Sequence, residues 1–183
     1  MIGVLNRNFT NLDKFAFLLL YKCLIRSHLE FANTVWSPYK EYLITDLERV
    51  QKRATKLIKG LKNLSYKDRL ISLQLPTLKF RRVRGDMIEV YKILTGKYDE
   101  KVCPLLPKHE NVRTRGNCLK LKTNRTRYDV RKYFFTNRIV KIWNSLPDEV
   151  VVADSVNCFK NKLDKYWKNV DLYYDYKTDL GGI

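Results

Sequence analysis

The stretch LITDLERVQKRATKLIKG, residues 43–60, decides the fold class. Its apolar residues Leu43, Leu47, Val50, Ala54 and Leu57 recur at spacings of four, three, four and three, which marks one face of an α-helix. Gly60 stands where a helix-ending glycine belongs. The opposite face carries Arg49, Lys52, Arg53, Lys56 and Lys59. Of these, Arg49, Arg53 and Lys56 fall within about one quadrant of the helical wheel. The segment therefore predicts a helix with one dry side and one strongly cationic side.

The same period extends in both directions. Toward the N-terminus, a helix is expected to start with Asn11 or Asp13 as its cap, because a short side-chain oxygen can satisfy the first free N–H groups. Leu12, Phe15, Leu18 or Leu19, Ile25 and Leu29 run down it, and Trp36 and Pro38 close it. Residues 1–10 are polar and are expected to fray. Toward the C-terminus, Ser65 and Asp68 resemble a capping box for a short helix through Leu73. Pro76 and Thr77 then open a longer helix ending at Gly96, with Leu78, Val83, Met87, Tyr91 and Leu94 on its apolar side. Arg81, Arg82 and Arg84 crowd its first half. Gly85 is either a weak point or a place where a helix or a phosphate comes close to the backbone.

Periodicity stops over residues 97–130, where Pro104, Pro107 and Gly116 punctuate the chain. Leu119 and Leu121 alternate with Lys120 and Lys122, which predicts a short strand or an extended arm. Residues 131–169 read as a second lobe of two helices. One covers Arg131 to Asn144 with Phe134, Ile139, Ile142 and Trp143 inward, and Leu146 and Pro147 stop it. The other starts at Asp154 or Ser155 and places Val156, Phe159, Leu163 and Tyr166 or Trp167 on one side. Residues 170–183, rich in Tyr and Asp and ending near Gly181 and Gly182, read as a flexible tail. The expected fold class is mainly α: a helical bundle over residues 11–96, a basic loop or extended arm over 97–130, and a small C-terminal helical lobe over 131–169.

Composition agrees. In 183 residues, 45% are hydrophobic, enough for a real core, while 7 Gly and 5 Pro are too few for an all-β sandwich. The four cysteines, Cys23, Cys103, Cys118 and Cys158, show no CxxC spacing, so free thiols in a reducing, intracellular compartment (nuclear or cytoplasmic) are expected. No apolar run approaches the roughly 20 residues that span a bilayer, so no membrane partner is expected.

The charge is the strongest functional signal. Lys and Arg number 36 against 19 acidic residues, a formal +17. The excess is clustered: net +11 between Arg49 and Lys97, and net +9 between Lys108 and Lys141. A compact body carrying such an excess repels itself, so the charge points to a polyanionic partner, RNA or DNA, held through its phosphates. Each neutralised phosphate releases counterions, and arginine can fork onto phosphate oxygens. The candidate contacts are Arg49, Lys52, Arg53, Lys56 and Lys59 in the first cluster, together with Arg81, Arg82 and Arg84. In the second they are Arg125, Arg127, Arg131 and Lys132. Tyr128 and Tyr133 stand among these cations and are the best candidates for stacking on bases.

Catalytic signals are missing. There is no Gly-rich phosphate loop, and Asp164 and Asp171 lie among lysines and tyrosines with no carboxylate cluster to hold Mg²⁺. Cys103, His109 and Cys118, with five and eight residues between them, match no compact zinc site. No catalytic residue, metal, cofactor or small-molecule substrate is assigned.

Several blocks together carry a family resemblance. Leu20-Tyr21-Lys22, Arg26-Ser27-His28-Leu29-Glu30-Phe31-Ala32 and Val35-Trp36-Ser37-Pro38-Tyr39 come first. Leu47-Glu48-Arg49-Val50-Gln51-Lys52-Arg53-Ala54-Thr55-Lys56, Leu64-Ser65-Tyr66, Arg81-Arg82 and Arg84-Gly85-Asp86-Met87 follow. Trp143-Asn144-Ser145-Leu146-Pro147 and Phe159-Lys160 complete the series. In this order they resemble the region downstream of the polymerase active site in jockey-type non-LTR retrotransposon reverse transcriptases, which are RNA-directed DNA polymerases. The resemblance implies a helical thumb followed by the C-terminal segment of such an enzyme, gripping a template–primer duplex by its backbone. It would set Arg49, Lys52, Arg53 and Lys56 toward the duplex, with Arg81, Arg82 and Arg84 nearby. The Ala-Asp-Asp motif of the family's palm is absent from the chain, as is its endonuclease domain. The resemblance therefore implies a nucleic-acid-binding piece of a transposable element without catalysis of its own, able to partner a separate palm. The alternatives are a transposon relic and a helical module that binds protein.

Overall fold

The computed structural model describes residues 1–99, 101–109 and 117–180. Gly116, Gly181 and Gly182, expected to punctuate the loop and the tail, lie outside the described residues. The chain is mainly helical, and among the described residues it contains no strand, only an isolated antiparallel bridge between Lys108 and Leu121. The helices are α1 (Ile2–Asn8), α2 (Lys14–Leu20), α3 (Ser27–Glu30), α4 (Asn33–Trp36), α5 (Glu41–Thr55), α6 (Tyr66–Leu73), α7 (Leu78–Leu94), α8 (Asp129–Lys132), α9 (Phe135–Ser145), α10 (Asp148–Val151) and α11 (Val156–Tyr166). They form two compact units, Met1–Arg82 with Asp171–Asp179, and Val83–Val170 with Leu180. The division falls within α7 rather than after Gly96, where the sequence reading expects it.

In the first unit, Asp13 caps α2 by accepting from the Ala16 N–H. The helix continues through a π-type stretch, Tyr21–Arg26, into α3. Phe17 and Tyr21 stack at 5.5 Å and enter a core with Leu5, Leu12, Ile25, Ala54, Leu70 and Leu73. Residues 1–10 are not frayed: α1 forms there and buries Leu5. The helix expected to run on to Trp36 is interrupted at Ala32, whose backbone is left-handed at φ 50°. Ser65 caps α6 as expected, accepting from the Asp68 N–H and donating to the Asp68 carboxylate at 2.6 Å. Thr77 caps α7 by accepting from the Phe80 N–H.

Helix α5 is rotated from the orientation its apolar stripe implies. Leu43 is exposed, Leu47, Val50 and Leu57 are half-buried, and the buried side is Glu48, Gln51, Ala54 and Thr55. The cause is α7, whose N-terminal N–H groups have no partner within their own helix and need an acceptor. The Glu48 carboxylate supplies it, accepting from the Lys79 N–H at 3.0 Å and from the Tyr66 hydroxyl at 2.6 Å. Gln51 donates to the Pro76 carbonyl beside it. Gly60 does not end this helix in a left-handed cap. The chain leaves α5 at Lys56, and Gly60 lies in the 3-10 turn Lys59–Leu61.

The tail is ordered where flexibility is expected. Leu172 is buried, and the Thr77 hydroxyl donates to its carbonyl at 2.7 Å. The Thr77 N–H donates to the Tyr173 carbonyl, and Tyr173 packs on Phe80 at 4.8 Å. Aromatic side chains every few residues supply the apolar area that overcomes the tail's acidity.

In the second unit, Tyr91 stacks on Phe159 at 4.4 Å, and Trp143 packs on the same ring. Helix α9 turns Phe135, Ile139, Val140 and Trp143 inward, one residue out of register with the expected set at its start: Phe134 is exposed. Where the alternation predicts a short strand or an extended arm, Cys118 and Leu119 form a turn and Leu121 makes an isolated bridge with Lys108. This segment is held by the Trp143-Asn144 pair. The Trp143 indole donates to the Leu119 carbonyl, and the Asn144 carboxamide both donates to and accepts from the Leu121 backbone at 2.9 Å. Asn117 donates to the carbonyls of Trp143 and Leu146. A left-handed Gly96 ends α7, with the Lys97 N–H returning to the Lys92 carbonyl, as its glycine implies.

Candidate nucleic-acid interface

The candidate cations fall into three groups once the side chains are placed. The first is committed to the fold. Arg81 forks onto Glu30, with Nε on Oε1 and Nη2 on Oε2, and Arg26 approaches the same carboxylate at 3.6 Å. Burial works against the Arg81 charge, but the Glu30 carboxylate outweighs it and holds the guanidinium above its ordinary pKa. Arg82 is buried in the first unit, and its charge acts on Glu48. Arg84 forks onto Asp164 at 2.6 and 2.7 Å. Consecutive helix positions point about 100° apart, so arginines clustered in sequence are spread around α7 and are taken up by different acids. These three arginines, read from the sequence as phosphate contacts, are internal ties. In the same part of α7, Asp86 accepts a fork from Arg138 of α9 at 2.9 Å. Gly85 thus sits between two residues that pin α7 to its neighbours.

The second group is partly withdrawn. The Lys52 ammonium lies over the rings of Tyr66 and Tyr176, at 5.1 and 4.6 Å, and donates to the Tyr176 hydroxyl. This caging follows from the rotation of α5, which turns Lys52 toward the edge of the buried side. Lys59 is exposed but donates to the Asn11 side chain at 2.7 Å.

The third group faces solvent. In the first unit, Arg49, Arg53 and Lys56 are exposed along one side of α5. Arg49 pairs with the exposed Asp46 at 2.6 Å, and screened pairs of that kind contribute little. A shallow groove of about 510 Å³ runs along this side, lined by Asp46, Arg49, Val50, Lys52, Arg53 and Lys56. In the second unit, Arg125, Arg127, Arg131 and Lys132 are all exposed on and just before α8. Tyr128 is 69% exposed with the Arg127 guanidinium over its ring, and Lys132 lies over the half-buried ring of Tyr133 at 5.2 Å. Val130 and Phe134 are exposed in the same stretch. Phe134 is the member that sequence reasoning missed. The inward set Phe135, Ile139 and Trp143, at spacings of four, would have placed it outside.

Both surfaces pair flexible cations with few acids, which is the chemistry that neutralises a phosphate chain. Among the described residues neither holds a nucleophile beside a base. Among the described residues no three His, Cys, Asp or Glu side chains are grouped as a metal ion requires. Burial and the neighbouring Asp148 push the Cys118 thiol above its ordinary pKa, the reverse of what activates a cysteine. No helix is long and apolar enough to cross a membrane among the described residues. Compared with known protein families, with curated proteins and with solved structures, the chain matches none.

Proposed function

We propose that this chain binds nucleic acid through backbone phosphates, as a thumb-type piece of a non-LTR retrotransposon reverse transcriptase, with no catalysis of its own. The observation that carries the reading is the exposed row of Arg49, Arg53 and Lys56 on α5, opposite a side fixed by Glu48, Gln51 and Thr55. A rigid helix presenting a cationic edge can follow a phosphate backbone without reading bases, so binding is sequence-tolerant and steeply dependent on salt. The exposed cluster from Arg125 to Lys132 supports the same reading for the second unit. The family assignment rests on the ordered sequence blocks, several of which make the internal contacts described above.

The test is binding of the purified chain to an RNA–DNA hybrid, an RNA duplex and a DNA duplex of equal length across a salt series. The reading expects a logarithmic salt slope of several phosphates, and preference for the hybrid would tie the chain to reverse transcription. A folded chain that binds none of the three at low salt would overturn it.

A second reading, a module that binds protein, is favoured by one observation. Phe15 and Leu19, one turn apart on α2, are exposed, as are Phe31 and Val35. Exposed apolar side chains in such number favour association with a protein surface such as a separate palm. A chain that stays monomeric at high concentration and binds nucleic acid unaided would count against it.

A further inference from the structure

The second unit contains a pocket that the backbone-binding role does not use. It is about 270 Å³ in volume. Its floor is apolar, made by Leu106, Leu121 and Val140, all buried in the unit's core. Leu105 and Pro107 form one wall. The Leu121 side of the floor is rigid, because Asn144 holds the Leu121 backbone by both its N–H and its carbonyl. The mouth carries the exposed cations Lys122 and Arg131, with Asn124 and Thr136 as neutral hydrogen-bonding groups, and among the described residues no carboxylate lines it.

An apolar floor under a cationic mouth suits a ligand that has a flat, weakly polar body and an anionic handle. The volume admits one nucleobase and excludes a base pair held within a duplex. Arg131 belongs to the exposed cationic stretch that also presents Tyr128, so a strand lying along that stretch would bring its phosphates to the pocket's rim. We propose that this pocket seats a single unpaired nucleotide of a bound strand. The base rests on Leu106, Leu121 and Val140, its edge meets Asn124 and Thr136, and its phosphate meets Lys122 and Arg131. The inference rests on the nucleic-acid reading above and adds to it a preference for unpaired nucleotides. Leaving the stack costs least for a base that is already unpaired, so ends, overhangs and single strands are the natural occupants.

The experiment compares two single-stranded oligonucleotides of equal length and charge, one with ordinary bases and one with abasic sites throughout, binding to the full chain. The ratio of their affinities measures what the bases add beyond the phosphates. Seating and stacking of bases is expected to favour the ordinary strand by about tenfold or more. Tyr128 can also contribute to this ratio, so pocket variants are compared with Tyr128→Ala. Asn124→Trp fills the mouth and Leu105→Gln removes an apolar wall, both at exposed side chains. Each is expected to lower the ratio at least threefold further when combined with Tyr128→Ala. A ratio near one in the unmodified chain overturns the pocket, as does a ratio abolished by Tyr128→Ala alone. Phosphate-dependent binding that persists in those cases leaves the backbone-binding reading intact; binding of neither strand overturns the pocket, and the duplex series then decides the backbone-binding reading on its own.

Discussion

Tyr66 donates its hydroxyl hydrogen to the buried carboxylate of Glu48 at 2.6 Å, and that contact fixes which side of α5 faces out. With Glu48 turned in to receive Tyr66 and the start of α7, the positions about a third of a turn away, Arg49 and Arg53, are left to solvent. A side chain that contacts no ligand thereby aims the cationic edge.

This arrangement predicts a pH signature. Burial raises the Glu48 pKa above the ordinary glutamate range, against the lowering effect of Tyr66 and the α7 N–H groups. The folded state then holds the Glu48 proton more tightly than the unfolded state does. The contribution of Glu48 to stability is therefore greatest in acid and falls as pH rises from the ordinary glutamate range through the raised value. Glu48→Gln keeps an acceptor for the Lys79 N–H but removes the titration. Urea melts from pH 4 to 8 should show the difference between variant and parent shifting in favour of the variant as pH rises. A difference that moves the other way would mean that the hydrogen bonds outweigh burial.

The Asp86–Arg138 fork is well shielded from water, with side chains 7% and 15% exposed. Removing one partner strands the other charge away from water. Asp86→Ala is expected to cost about 3 kcal/mol of stability, measured by denaturant unfolding, and Arg138→Met added to it should recover part of that loss.

Asn144 acts as a clamp. Asn144→Ala leaves both backbone polar groups of the buried Leu121 without their side-chain partners. The expected cost is about 1–3 kcal/mol. Hydrogen exchange should localise it, with the Leu121 amide losing protection while the Tyr91 and Phe159 region keeps it.

Asp171–Asp179 of the tail belong to the first unit, so shortening a side chain there should be felt in that unit. Leu172 is 1% exposed, and Leu172→Ala is expected to cost about 2–4 kcal/mol. A freely moving tail would give no measurable change in the melt.

Much of the fold was legible because local chemistry decides it. The cap at Asp13, the box at Ser65 and Asp68, and the glycine stop at Gly96 each satisfy backbone groups within a few residues. What was not legible depended on distant partners. The rotation of α5 is set by the N-terminus of α7, and the order in the tail by Thr77, Phe80 and Lys79, roughly a hundred residues earlier. The arginine cluster misled for the same reason: a count of charge does not show that Glu30 and Asp164 will claim Arg81 and Arg84. The resemblance blocks gain a physical sense here. Glu30, Glu48, Gln51, Ser65, Tyr66, Arg81, Asp86 and the Trp143-Asn144 pair are all residues that lock an element in place.

The most direct measurement is the salt dependence of duplex binding by the parent chain and by a variant with Arg49, Arg53 and Lys56 all changed to Gln. All three side chains are exposed, so the melting curve should not move. Weaker binding is expected, with a logarithmic salt slope shallower by about three, one for each lost phosphate contact. An unchanged affinity and an unchanged slope would contradict the backbone-binding reading.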